Sequence, residues 1–146
     1  MSYTIEFWAL PLAIVADIAH RTESPTEFGE GVKDAGVYFG WIGHSSSGGD
    51  AFRSELRALS TRLGIPLESW IIGPNSDLPY QVPEDSSGYP SFSGFTSAQA
   101  TDLCEPLEQA IAGGEMSDSN VLDVEMILSV ALDARDRATD ITTIYW

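Results

Sequence analysis

Two kinds of apolar periodicity occur in this chain, and together they restrict its fold more than any other feature. Alternate residues of segment 3–9 (YTIEFWA) are apolar, which is the period of a half-buried β-strand. Between residues 50 and 63 the apolar side chains instead recur at helical spacing, at Phe52, Leu56, Leu59 and Leu63. A chain that carries both periods is predicted to combine a sheet with packed helices, which is the α+β class.

The remaining segments add predicted elements to this plan. Short apolar runs predict further strands at Val37–Ile42, Leu67–Ile72 and Ile141–Trp146, the last beside the first strand. Further helices are predicted at Pro11–His20, after the capping box Thr96–Gln99, and at Val121–Ala138. Pro106 is expected to kink or divide the second of these, and the buried stripe of the third is predicted to be Leu122, Met126, Val130 and Ala134. Polar composition predicts a loop at 21–35 and a Ser/Gly-rich turn at 43–49. We expect a single α+β domain over residues 1–146, in which three to four helices pack on a small, mostly antiparallel sheet.

A long irregular loop is predicted at about residues 73–95. Residues 73–94 include four prolines and three glycines, and no regular period is visible. Aromatic and acidic residues alternate within this segment, and it contains no lysine or arginine. Because irregular segments of this length are unusual in compact domains, such loops are often functional.

Charge is the most informative part of the composition. The chain has 22 acidic and seven basic residues, so its net charge is −15, and no lysine or arginine occurs between Leu63 and Ala134. Such a surface repels the phosphates of nucleic acids and anionic membranes, and it attracts a basic protein or a metal ion. Two other interpretations of the charge are solubility alone and a halophilic proteome.

No segment contains a complete catalytic or metal-binding motif. Gly43-His44-Ser45-Ser46-Ser47 approaches the nucleophile elbow G-x-S-x-G, but its fifth residue is not glycine and no histidine follows His44. The acids from Asp118 to Glu125 lack the spacing of a calcium loop, and the histidines and Cys104 lack that of a zinc site. We therefore expect no catalytic residues, no metal and no cofactor.

The sequence also indicates where the protein acts. It has no apolar run long enough to span a membrane and no secretory signal pattern, and its one cysteine cannot form an internal disulfide. These features favour a soluble, cytoplasmic protein. They leave its oligomeric state open.

The candidate contact residues for a basic partner are the rings and acids of the long loop and the acids of the following helix. They are Asp77, Tyr80, Glu84, Asp85, Tyr89, Phe92, Asp102, Glu105 and Glu108. Aromatic anchors beside unpaired acids suit such a surface, because rings supply buried area and acids supply steering. The alternative for Tyr80, Tyr89 and Phe92 is that they cover the core.

Two other classes of function stay open. One is a small enzyme or ligand-binding domain with a site around the 43–49 turn, formed by Trp41, His44, Ser45 and Arg53. The other is a structural subunit, which a large apolar surface and a stable homo-oligomer would distinguish.

The chain resembles small bacterial proteins grouped as domains of unknown function. The residues that carry this resemblance are Phe7-Trp8-Ala9-Leu10-Pro11-Leu12, the helical segment Phe52–Pro66, and Gly73-Pro74. In general character it is also similar to the acidic immunity proteins that neutralise bacterial toxins, which are small, strongly negative and without a catalytic set. That similarity implies a non-enzymatic protein that binds a basic toxin, often a nuclease, and blocks its active site.

Overall fold

Four strands form one antiparallel sheet in the order β2-β1-β4-β3. They are β1 (Ser2–Ala9), β2 (Val37–Ser45), β3 (Ser91–Phe95) and β4 (Ile141–Tyr145). The computed structural model describes residues 2–85, 90–114 and 116–146. The predicted α+β class and the pairing of the last strand with the first are confirmed.

Six helices in the described residues cover both faces of this sheet. They are α1 (Leu12–Arg21), α2 (Pro25–Ala35), α3 (Ser46–Leu63), α4 (Leu67–Ile71), α5 (Ser97–Ala112) and α6 (Asp118–Asp136). Ile5 and Phe7 of β1 belong to the larger core beneath α3 to α6. On the other face, Ile144 of β4 belongs to a smaller core with α1 and α2. We call these the α3–α6 face and the α1–α2 face.

Two predicted segments have a different structure from the one expected. Residues 25–35 form α2 rather than a loop, because the Ser24 side chain accepts a hydrogen bond from the Glu27 amide and Phe28 and Val32 are buried one turn apart. Residues 67–71 form α4 rather than a strand, since Leu67, Trp70 and Ile71 become buried at helical spacing.

Three other expectations were wrong in detail. The predicted turn at 43–49 does not exist, because β2 continues to Ser45 and α3 begins at Ser46. The predicted loop contains β3, which pairs with β4. Helix α5 is also not divided at Pro106, where a kink or a division was expected.

Helix α6 is rotated relative to its predicted buried stripe. Leu122, placed in that stripe, is 68% exposed, and Met126 is only partly buried. The stripe that reaches the core instead consists of Val124, Ile127, Val130, Ala131 and Ala134. This set also has helical spacing, so the sequence is compatible with two buried faces of α6 that share some residues.

A single carboxylate connects the beginnings of two helices. Asp140, just before β4, accepts hydrogen bonds from the Leu12 amide at 2.9 Å and from the Ser97 amide at 3.0 Å. These are the first residues of α1 and α5. Free amides at a helix start carry partial positive charge, so the carboxylate stabilises both ends.

None of the helices in the described ranges has the length and apolar character needed to cross a membrane.

Candidate functional site

Two described aromatic residues of the long loop, Tyr80 and Phe92, pack on the smaller core. Phe92 is only 8% exposed and meets the Phe28 ring edge-on, with 4.7 Å between centroids. Tyr80 is partly buried, it lies 6.1 Å from the same ring, and its hydroxyl is buried. This arrangement matches the alternative in which these two rings cover the core. Tyr89, the third predicted ring, lies outside the described residues.

The acids of this loop, in contrast, face solvent. Asp77, Glu84 and Asp85 are all exposed. Within the described ranges, no ion pair involves Asp77 or Glu84. The loop is held to the sheet by Asn75, which donates a hydrogen bond to the Gly94 carbonyl and accepts one from the Asp77 amide. The loop acids therefore stand on a segment that is fixed by its own polar contacts and rings.

The acids of α5 form a second surface that is separate from the loop. Asp102, Glu105 and Glu108 are exposed, on the side of the helix away from the buried Leu103 and Leu107. Helix α5 packs on the α3–α6 face, whereas the rings of the loop pack on the α1–α2 face. Glu84 and Asp85 line a cleft together with Pro25 of α2 and Arg53 of α3, and none of the three α5 acids lines that cleft among the described residues.

A histidine–carboxylate pair lies on the α3–α6 face. Nε2 of His44 on β2 and Oδ2 of Asp123 on α6 are 2.5 Å apart, and both side chains are largely shielded from solvent. The His44 ring lies between Phe52, at a centroid distance of 5.4 Å, and Tyr3, at 5.7 Å. Burial raises the pKa of Asp123, and the neighbouring His44 opposes this shift. The pair connects an edge strand to the final helix.

The residues of the alternative site do not come together. Trp41 is opposite Glu6 in the sheet and His44 is opposite Tyr3, so the two side chains project from opposite faces. Arg53 lies 5.8 Å from the Tyr145 ring and lines a cleft of about 600 Å³. His44 is not among the described residues that line this cleft. Tyr3 lies between them, 5.7 Å from the His44 ring and 5.2 Å from the ring of Tyr145, which lines the cleft.

The possible metal ligands and the cysteine thiol were the remaining candidates for a reactive site. Among the residues that the structure describes, no three His, Cys, Asp or Glu side chains are grouped as metal ligands. Cys104 is buried, its sulfur donates to the Ala100 carbonyl, and burial raises the pKa of its thiol. A raised pKa keeps the sulfur protonated and therefore poorly nucleophilic.

Sequence reasoning missed the His44–Asp123 pair because its members are 79 residues apart. Neither residue belongs to a recognisable motif, and no local signal in the sequence brings them together.

Comparisons with protein-family models, with curated proteins and with solved structures found no match.

Proposed function

We propose that this chain is a non-enzymatic acidic binding protein, most concretely an immunity protein or antitoxin that covers the active site of a basic bacterial toxin. Its net charge of −15 and the absence of basic residues between Leu63 and Ala134 support this proposal. A nuclease binds the phosphates of its substrate with a cationic surface. Carboxylates suit that surface because they are negatively charged, as phosphates are. The proposal places the protein in the cytoplasm, where such a toxin would act.

The observation that carries the proposal is the exposure of the loop acids on an anchored segment. The loop is held by the contact of the Tyr80 ring with Phe28 and by the hydrogen bond from Asn75 to the Gly94 carbonyl. Asp77, Glu84 and Asp85 are exposed to solvent. A preformed loop loses less conformational entropy on binding than a mobile one does, so its charges contribute more to affinity. In this proposal the loop rings hold the loop in place, and the loop acids contact the toxin.

Charge reversal in the loop tests this proposal. Wild-type protein and the variant Glu84→Lys/Asp85→Lys would be used in parallel to capture partners from the native host. We expect wild type to retain one basic protein, and the variant to associate with it more slowly and more weakly, with the larger difference at low salt. Inhibition of the captured protein's toxic activity at one-to-one stoichiometry would complete the test.

The acids of α5 provide a matched control for this experiment. Glu105→Lys/Glu108→Lys changes the net charge by the same amount on helix α5, away from the loop. Equal weakening by both double variants would show that only total charge matters, and it would remove the loop from the interface. Unchanged binding by the loop variant would have the same consequence.

The His44–Asp123 pair favours a second candidate, a small enzyme or ligand-binding domain that uses His44. A histidine held by a carboxylate has a fixed ring orientation, as general bases require. A ligand screen by chemical-shift mapping of the backbone amides around His44 tests this candidate. Shifts that disappear in His44→Gln, without a change in the fold, would support it over the binding protein.

A further inference from the structure

Strand β2 forms an outer edge of the sheet. Among the described residues it pairs only with β1, and its nine residues include no proline, lysine, aspartate or glutamate. Natural proteins usually protect such an edge with charge, proline, a bulge or a covering element, because it is a template for further strand pairing. The pairing of β2 with β1 is shifted in register beside Gly40, but three apolar side chains of the strand are exposed, Val37 by 55%, Tyr38 by 47% and Trp41 by 56%.

Apolar groups flank this edge on both sides of the sheet. Tyr38 and Trp41 are opposite Trp8 and Glu6 in the register, which places them on the α1–α2 face. On the α3–α6 face, α6 packs against β2, and its exposed Leu122 precedes the residue that binds His44. We call Val37, Tyr38, Trp41 and Leu122 the β2 edge surface.

Strand β2 itself carries no carboxylate, unlike much of the chain. Residues 35–49 contain no acid. On the neighbouring strand, Glu6 lies 3.6 Å from Lys33. Arg137 lies 5.1 Å from the Phe39 ring in β2. A basic partner would therefore find no carboxylate on β2 itself, and two copies paired along β2 would place no acid of one strand opposite an acid of the other.

We propose that the β2 edge surface joins a second copy of this chain, with the two β2 strands antiparallel about a twofold axis. This pairing extends the sheet from four strands to eight and places Trp41 of each copy near the interface. The four apolar side chains expose on the order of 400 Å² in each copy. Together with the paired backbones, this reaches the lower range of stable interfaces, about 1,200 Å² in total. The inference is independent of the toxin proposal, which uses the loop at the β3 side of the sheet.

The test is the mass of the full chain in solution, measured by sedimentation equilibrium over a wide range of concentration. We expect a species of twice the 15.8 kDa of one chain. Its fraction should increase with added salt, because screening weakens the repulsion between two acidic copies. Binding of a basic toxin would respond to salt in the opposite direction, so failures of the two proposals are distinguishable.

Two substitutions at the edge and one control make the test specific. Trp41→Lys and, independently, Tyr38→Lys should give a monomer with unchanged circular dichroism. Ile14→Lys, at an exposed apolar residue on α1, should remain a dimer. A monomeric wild-type protein at high salt and concentration would overturn the proposal. So would a dimer that both edge variants preserve, or one that Ile14→Lys dissociates equally.

Discussion

His44 and Asp123 join an edge strand to the final helix through a 2.5 Å contact between Nε2 and Oδ2. The contact spans 79 residues of sequence, and it is enclosed by aromatic rings. Because burial raises the pKa of Asp123 and His44 opposes that shift, the histidine compensates a carboxylate that the fold otherwise penalises.

Removing His44 should make stability depend more strongly on pH. In His44→Ala the carboxylate of Asp123 loses its partner, so its folded-state pKa rises further above the ordinary value. The stability associated with a raised carboxyl pKa is present at acidic pH and is lost as pH rises through that pKa. We expect a deficit of about 1–3 kcal/mol at pH 7, and a smaller one near pH 4. Urea unfolding at several pH values measures it.

The control is Asp123→Asn in the His44→Ala background. The neutral amide cannot ionise, so the double variant should recover part of the loss at pH 7 and show no such pH dependence. A deficit of constant size across this pH range would contradict the assignment to Asp123.

Replacing Asp140 should weaken two helices at once. Asp140→Ala removes the acceptor for the first amides of α1 and α5, and we expect a loss of about 2 kcal/mol from the two caps together. Asp136→Ala is the matched control, since Asp136 is exposed and pairs with its neighbour Arg135. That change should cost less than about 0.5 kcal/mol. Similar losses in the two variants, measured by chemical unfolding, would refute the double-cap role.

Tyr80→Phe should stabilise the protein, although it removes a polar group. The Tyr80 hydroxyl is buried beside Thr142, but it forms no hydrogen bond of ordinary geometry with the described residues. Removing an unsatisfied buried hydroxyl should increase the free energy of unfolding by about 1 kcal/mol. A decrease of similar size would indicate that the hydroxyl has a bonding partner after all.

The same substitution should alter unfolding at alkaline pH. Burial raises the pKa of Tyr80 to about 12, with a small opposing effect from Thr142. A raised phenol pKa gives stability that is complete below the unfolded-state value near 10 and is lost as pH rises from 10 to 12. We expect the advantage of Tyr80→Phe over wild type to grow across this range. An advantage that stays constant would contradict this ionisation.

Gly40 is the position in β2 where a side chain should be least tolerated. Its φ is +145°, next to the register shift between β1 and β2, and an added Cβ would lie 2.9 Å from the Met126 sulfur. Gly40→Ala should lower stability by about 1–3 kcal/mol, because L-residues rarely adopt this conformation. Since methionine is flexible, Met126→Ala should not restore the loss. Full rescue would show that the clash, rather than the backbone, is the cause.

Local patterns predicted a substantial part of this fold. The alternation in β1 and the capping box between Thr96 and Gln99 involve residues that are close in sequence, and both are present as expected. The α2 helix was missed because its glycines and acids resemble a loop. Its signal was nonetheless available in the Ser24 cap and the burial of Phe28 and Val32 at i, i+4.

The candidate site was predicted less well than the fold, for a physical reason. The sequence indicated which residues are acidic or aromatic, but not which way the loop turns them. Tyr80 and Phe92 share Phe28 as a packing partner, 52 and 64 residues earlier in the chain, and no local period encodes these contacts. The position of the loop acids relative to those of α5 likewise depends on tertiary structure.

The position of β4 has a consequence for synthesis on the ribosome. Strand β4 follows every other described element in the chain, yet it lies between β1 and β3 in the sheet. Until residues 140–145 emerge from the exit tunnel, β3 has no described strand to pair with, and α1 and α5 lack the carboxylate at their first turns. A nascent chain therefore has the β1–β2 pair, connected through α1 and α2, but not the complete sheet. The native core closes only after nearly all of the chain described here has been translated.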